Sequence, residues 1–106
     1  MSLDTVHDIS YYFSMIKTFK HKGLKKFFEQ GIASGVNPEH ESRLKRMLAY
    51  LDRAKYPEDM NLPDFKLHTL KGDKKDLWSV TVSGNWRLTF KFEKGDAYIL
   101  DYQDYH

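Results

Sequence analysis

Hydrophobic residues recur every third or fourth position through the middle of the chain and every second position through its last third. This change of period separates a helical part from a sheet part. Leu24, Phe27 and Phe28 share one face of a stretch from His21 to about Gln30, which predicts a short amphipathic helix. Gly31 and Gly35 bracket a turn, and Asn37-Pro38 has the form of an N-cap followed by proline at the first helical position, where its missing N–H has no intrahelical partner to lose. Leu44, Met47, Leu48, Leu51 and Ala54 then keep helical spacing, with Arg43, Lys45, Arg46 and Arg53 on the flanks and Glu39 and Glu41 where the helix dipole favours acids. Pro57 ends this second helix. Ahead of both, Ile16 and Phe19 set among Lys17, Thr18 and Lys20 predict a short strand over Met15 to Lys20.

After Pro63 the period is two. Phe65, Leu67 and Thr69 alternate with Lys66, His68 and Leu70, and Trp78, Val80 and Val82 alternate with Ser79, Thr81 and Ser83. A turn at Ser83-Gly84-Asn85 leads to Trp86, Leu88, Phe90 and Phe92 interleaved with Arg87, Thr89 and Lys91; Lys94-Gly95-Asp96 turns into a last strand, Ala97 to Tyr102. The order predicts an α+β fold: an N-terminal strand, two helices, and a mainly antiparallel sheet with the helices packed on one face. The expected core is Leu24, Phe27, Leu44, Leu48, Leu51, Trp86, Leu88 and Phe90. The opposite face is left to Lys66, His68, Arg87 and Lys91.

Residues 1–14 stand apart. Val6, Ile9, Tyr11, Tyr12 and Phe13 follow no clear period, and Met15 opens the regular segment, so 1–14 reads as a flexible N-terminal extension and 15–106 as one domain. A chain of 106 residues with 41% hydrophobic and 15% aromatic residues suffices for one core. Without cysteine there is neither a disulfide framework nor a zinc-thiolate site. No run of about 18 apolar residues and no basic leader is present, which reads as a cytoplasmic protein without a membrane partner. The formal net charge is +2, but Asp4 and Asp8 are the only charged groups among the first fourteen residues. The rest is therefore mildly basic, enough to assist a nucleic-acid contact.

Four segments carry a resemblance. The run from Met15 to Leu24 (MIKTFKHKGL), Lys66 to Asp73 (KLHTLKGD), Trp78 to Arg87 (WSVTVSGNWR), and the ending Gly95-Asp96-Ala97-Tyr98 through Asp104-Tyr105-His106 together resemble the HigB toxins, also called plasmid maintenance system killer proteins, a branch of the RelE/ParE superfamily. The extension and Thr69, where many relatives carry proline, depart from the pattern. The resemblance implies a RelE-like fold and a toxin that cleaves mRNA in the ribosomal A site by acid/base chemistry, with no metal and no cofactor. It implies an active site at His68, Asp104, Tyr105 and His106, with Lys71 and Arg87 contacting phosphate. Lys66 and Lys91 join these as candidate RNA contacts on the open face, and Lys17, Lys20, Lys22 and Lys25 in the densest basic stretch as candidate ribosome contacts. The implied partners are a HigA-type helix-turn-helix antitoxin and the 70S ribosome with mRNA, with operator DNA reached only through the antitoxin.

The residue chemistry agrees with that implication. Metal-free RNA cleavage needs a base for the 2′-hydroxyl, an acid for the departing 5′-oxygen and cations at the phosphate, and imidazole fills either proton role near neutral pH. His68 and Arg87 have the parity that leaves the core, and Asp104-Tyr105-His106 adds a carboxylate, a ring able to stack on a base and a second imidazole. Taken singly, each has a plainer reading: a boundary histidine, a solvated charge run, a frayed terminus. His68, Asp101, Asp104 and His106 are metal-ligand types, yet no spacing matches a metal motif. Two other functions are alternatives: a ParE-like inhibitor of DNA gyrase, a branch that shares the fold, and a non-catalytic RNA- or protein-binding module. Position-specific mRNA cuts, gyrase-linked DNA breaks or binding without scission separate the three.

Overall fold

The computed structural model describes residues 14–70, 72 and 76–105. The readings made for 1–13, Lys71 and His106 fall on residues outside that set. Helix α1 spans Lys22–Gln30 and α2 Glu41–Arg53; strands β1 His68–Thr69, β2 Trp78–Ser83, β3 Trp86–Glu93 and β4 Asp96–Asp104 form an antiparallel sheet in the order β1-β2-β3-β4. The predicted strand before α1 is present as two parallel bridges to the β4 edge, Ile16 to Ala97 and Phe19 to Leu100. Between them β4 turns through Ile99 at φ 47, where the Thr18 hydroxyl accepts the Ile99 N–H at 2.7 Å and so covers the break.

His21 caps α1, its Nδ1 accepting from the Leu24 N–H at 2.9 Å, and Gly31 ends the helix at φ 73, a conformation that a β-carbon would strain. Asn37 caps as expected through the Glu39 N–H, but the turn it opens, Pro38–His40, is 3₁₀, and the α-helix starts at Glu41. Leu44, Met47, Leu48 and Leu51 then face the sheet, where Val80, Leu88, Phe90 and Leu100 are fully buried. Where α1 begins, Gly23 lies against Gly35; a β-carbon on Gly35 would come within 2.6 Å of the Gly23 Cα.

Two expectations need correction, and one element is new. The strand read over Phe65 to Leu70 forms only at His68–Thr69, because Lys66 adopts φ 53 and turns the backbone out of the ladder. Phe65 is nevertheless fully buried, and its carbonyl accepts the Thr81 N–H at 2.7 Å. Trp86 is half-buried rather than buried, lying at the rim against the Tyr102 ring at 4.6 Å. The segment after Pro57 is a 3₁₀ turn, Pro57–Met60, that drives Met60 fully into the core, a position periodicity had not marked.

Candidate active site

Residues paired directly across antiparallel strands project to the same side. The register joins His68 to Ser79, Ser79 to Thr89 and Thr89 to Asp101, so these four form one row across the sheet from β1 to β4. Thr81, Arg87 and Gln103 form the adjacent row on the same side. Leu88 and Phe90, of opposite parity, go to the helices. His68 and Arg87 are thus two strands apart and one row apart, about 12 Å between Cα atoms from ordinary strand spacings. Two long side chains can approach one phosphate from opposite sides at that distance. The face is not uniformly open: Ser79, Thr89 and Asp101 are all buried.

The loop into β1 fixes His68. Arg43 and Arg46 of α2 both donate to the Asp64 carboxylate, at 3.0 and 2.8 Å, and their guanidinium groups lie over the Phe65 ring. Arg43 also donates to the carbonyls of Asp64 and Thr81, so one side chain ties α2 to the loop and to β2. From this clamp the chain turns at Lys66, whose carbonyl lies 2.9 Å from Nδ1 of the exposed His68. A carbonyl only accepts, so Nδ1 carries the hydrogen, and the neutral ring presents Nε2 as a proton acceptor. Lys66 therefore serves through its main chain, while its side chain is exposed.

Arg87 folds toward the β2–β3 turn, its Nη1 donating to the carbonyls of Gly84 at 2.6 Å and Trp86 at 3.1 Å. Its other guanidinium nitrogens have no protein partner among the described residues. The same turn holds the chain end, since the Tyr105 N–H donates to the Asn85 carbonyl at 2.8 Å. Arg87 and Tyr105 are thereby gathered at the β2–β3 turn, at the end of the sheet that the row next to His68's approaches. Asp104 is different: it pairs with Trp86, so strand alternation sends it to the helix side of the sheet, where it is exposed at the end of β4. Lys91 is engaged by Glu93 at 3.0 Å, which raises its pKa. Lys17, Lys20, Lys22 and Lys25 are exposed at the β4 edge and on α1, a sheet's width from His68, with the Lys20 ammonium 4.0 Å from Asp101. Among the described residues no three His, Asp or Glu side chains gather as a ligand set for a metal ion. A cavity of about 420 Å³ between the helices, bordered by Phe27, Phe28, Leu48 and Asp52, includes none of these residues.

Comparison with known proteins decides what kind of molecule carries this face. Residues 17–106 match the family model described as the RelE-like toxin of the type II toxin-antitoxin system HigB. The chain belongs to the HigB-like toxins. It is 52% identical over 92 residues, 87% of its length and 100% of the relative's, to the endoribonuclease HigB of Proteus vulgaris. It is 32% identical over 94 residues, 87% of its length and 98% of the relative's, to toxin HigB-1 of Vibrio cholerae serotype O1. Membership of the family implies a cognate antitoxin. The α+β arrangement of two helices on an antiparallel sheet agrees with the RelE-like class, and the match covers both His68 and the terminal tripeptide. None of the described helices is long and apolar enough to cross a membrane.

Sequence reasoning placed His68 and Arg87 on one face by parity but passed over two groups. Ser79 and Thr89 entered only as polar alternates of core residues, although their parity with Arg87 was the available signal. Arg43 and Arg46 were read as helix flanks; nothing local shows that they clamp Asp64 and Phe65, some twenty residues away.

Proposed function

We propose that this HigB-like toxin is an mRNA endoribonuclease acting on ribosome-bound message in the A site, with His68 as the general base. The supporting observation is the hydrogen bond from His68 Nδ1 to the Lys66 carbonyl, which leaves Nε2 as the accepting nitrogen on the same sheet face as Arg87. The name of the Proteus relative supports the reaction class. In the proposed step Nε2 takes the proton of a 2′-hydroxyl. The 2′-oxygen attacks the adjacent phosphorus, the bond to the 5′-oxygen breaks, and that oxygen leaves with a proton from the terminal Asp104-Tyr105-His106 group, giving a 2′,3′-cyclic phosphate and a 5′-hydroxyl. Arg87, with Lys71, supplies positive charge as the phosphate gains negative charge. The Tyr105 ring offers a stacking surface for a base. Lys66 and Lys91 border the RNA path, and Lys17, Lys20, Lys22 and Lys25 meet ribosomal RNA at the other edge of the sheet. The reading includes a cytoplasmic location, a HigA-type helix-turn-helix antitoxin and operator DNA bound through that antitoxin. Residues 1–14 are an extension dispensable to the domain.

Primer extension on mRNA in a programmed translation reaction tests this. Wild type should leave position-specific cuts, and His68→Ala should cleave roughly 10²- to 10⁴-fold more slowly while unfolding at the wild-type temperature, because His68 is exposed. Full cleavage by a folded His68→Ala variant, or gyrase-linked DNA breaks in place of mRNA cuts, would refute the proposal.

A further inference from the structure

Ser79 is fully buried in the middle of the polar row, and its Oγ has no hydrogen-bond partner. Among the described residues the other buried side-chain atom of this kind is Arg43 Nε, whose guanidinium is otherwise engaged through both terminal nitrogens. Of these two, Ser79 keeps its whole side-chain hydrogen-bonding capacity unused. A buried hydroxyl left unpaired is a net cost to folding, and alanine at this strand position would be free of it. The folded chain thus offers Ser79 no partner, and a bound one would supply it.

The register says where that partner lies. Ser79 is the direct cross-strand neighbour of His68, and Arg87 is opposite Thr81, two residues further along the same strand. A phosphodiester reaching from His68 on β1 to Arg87 on β3 crosses β2 over Ser79 and Thr81. We infer that Ser79 is a further catalytic residue of this site: its hydroxyl donates to a non-bridging oxygen of the scissile phosphate as charge builds there. This rests on the reading of the face as the RNA-cleaving site. A donor already stripped of water in the free protein has no hydration to lose when phosphate arrives, the condition under which a single fixed donor contributes most to a transition state. Because Ser79 is fully buried in the free protein, contact requires the side chains over it to move aside on binding, as interface side chains commonly do; His68 beside it is exposed.

The inference predicts stability and rate moving in opposite directions. Ser79→Ala should unfold at or above the wild-type temperature yet cleave ribosome-bound mRNA on the order of 10²-fold more slowly at saturation, with the half-saturating ribosome concentration within about twofold of wild type. Ser79→Thr, which restores a hydroxyl, should recover most of the rate. His68→Ala is run in parallel. An Ser79→Ala variant with wild-type rate overturns the inference, as does one that unfolds well below wild type, because the hydroxyl would then be structural. A folded Ser79→Thr as slow as the alanine variant also overturns it. If His68→Ala too cleaves at the wild-type rate, the reading of the face fails as a whole; if His68→Ala is slow and Ser79→Ala is not, only the role of Ser79 is removed.

Discussion

The two faces of the sheet are built from the same strands counted alternately, and they differ in how fully their polar groups are paired. On the helix side Val80, Leu88, Phe90 and Leu100 are fully buried, and the polar groups among them close on one another. The Tyr102 hydroxyl accepts the Asn37 N–H at 3.3 Å and is hydrogen-bonded to Nδ1 of the buried His40 at 2.6 Å, while burial holds its pKa above the ordinary phenol range. On the other side Ser79 Oγ is unpaired, Arg87 uses one guanidinium nitrogen, and His68 uses one ring nitrogen. On the helix face the Tyr102 hydroxyl is paired by folding itself. The other face keeps donors and acceptors in reserve, which is the usual trade of stability for function at a site.

Substitutions on the helix face test the stability half of this contrast. Leu88→Ala should cost about 2–5 kcal/mol, the usual range for truncating a fully buried leucine, seen as a lower midpoint in chemical denaturation. The fraction that remains folded should cleave at the wild-type rate. A loss in rate per folded molecule would show that the two faces are not separable. Gly35→Ala should cost less, about 1–3 kcal/mol, since its β-carbon must displace the Gly23 backbone at 2.6 Å. Unchanged thermal stability would mean that the helix layer is looser than this contact indicates.

The clamp joining the faces gives the smallest effect. Hydrogen bonds from Arg46, then Arg43, hold the Asp64 carboxyl below the ordinary carboxylate range. A carboxylate with a depressed pKa stabilises the fold above its unfolded-state value, and that contribution disappears as pH falls through the folded-state value. Asp64→Asn should therefore slightly lower stability at neutral pH and flatten its decline below about pH 4; solvent exposure keeps the effect small. A titration of unfolding midpoint against pH reads this directly. An unchanged acid limb would show that the pair holds the loop into β1 without contributing to stability.

The amino-acid order by itself determined both helices, the two hairpins and the outward parity of His68 and Arg87, because each depends on residues a few positions apart: 3.6-residue and two-residue periods, a proline after a cap, glycine at a turn. The same locality explains the miss at β1, since no lysine signals a left-handed conformation and Lys66 takes one directly after Asp64 and Phe65, which Arg43 and Arg46 hold from a helix some twenty residues away. Which residue faces which was decided only in three dimensions. The row from His68 through Ser79 and Thr89 to Asp101 depends on strand register, and that register shifts between Thr81 and Ser83 and again between Thr89 and Lys91. Each such irregularity moves one strand past its neighbour by a residue, so periodicity assigns a face but not a partner. The unpaired hydroxyl beside His68 arises from that pairing.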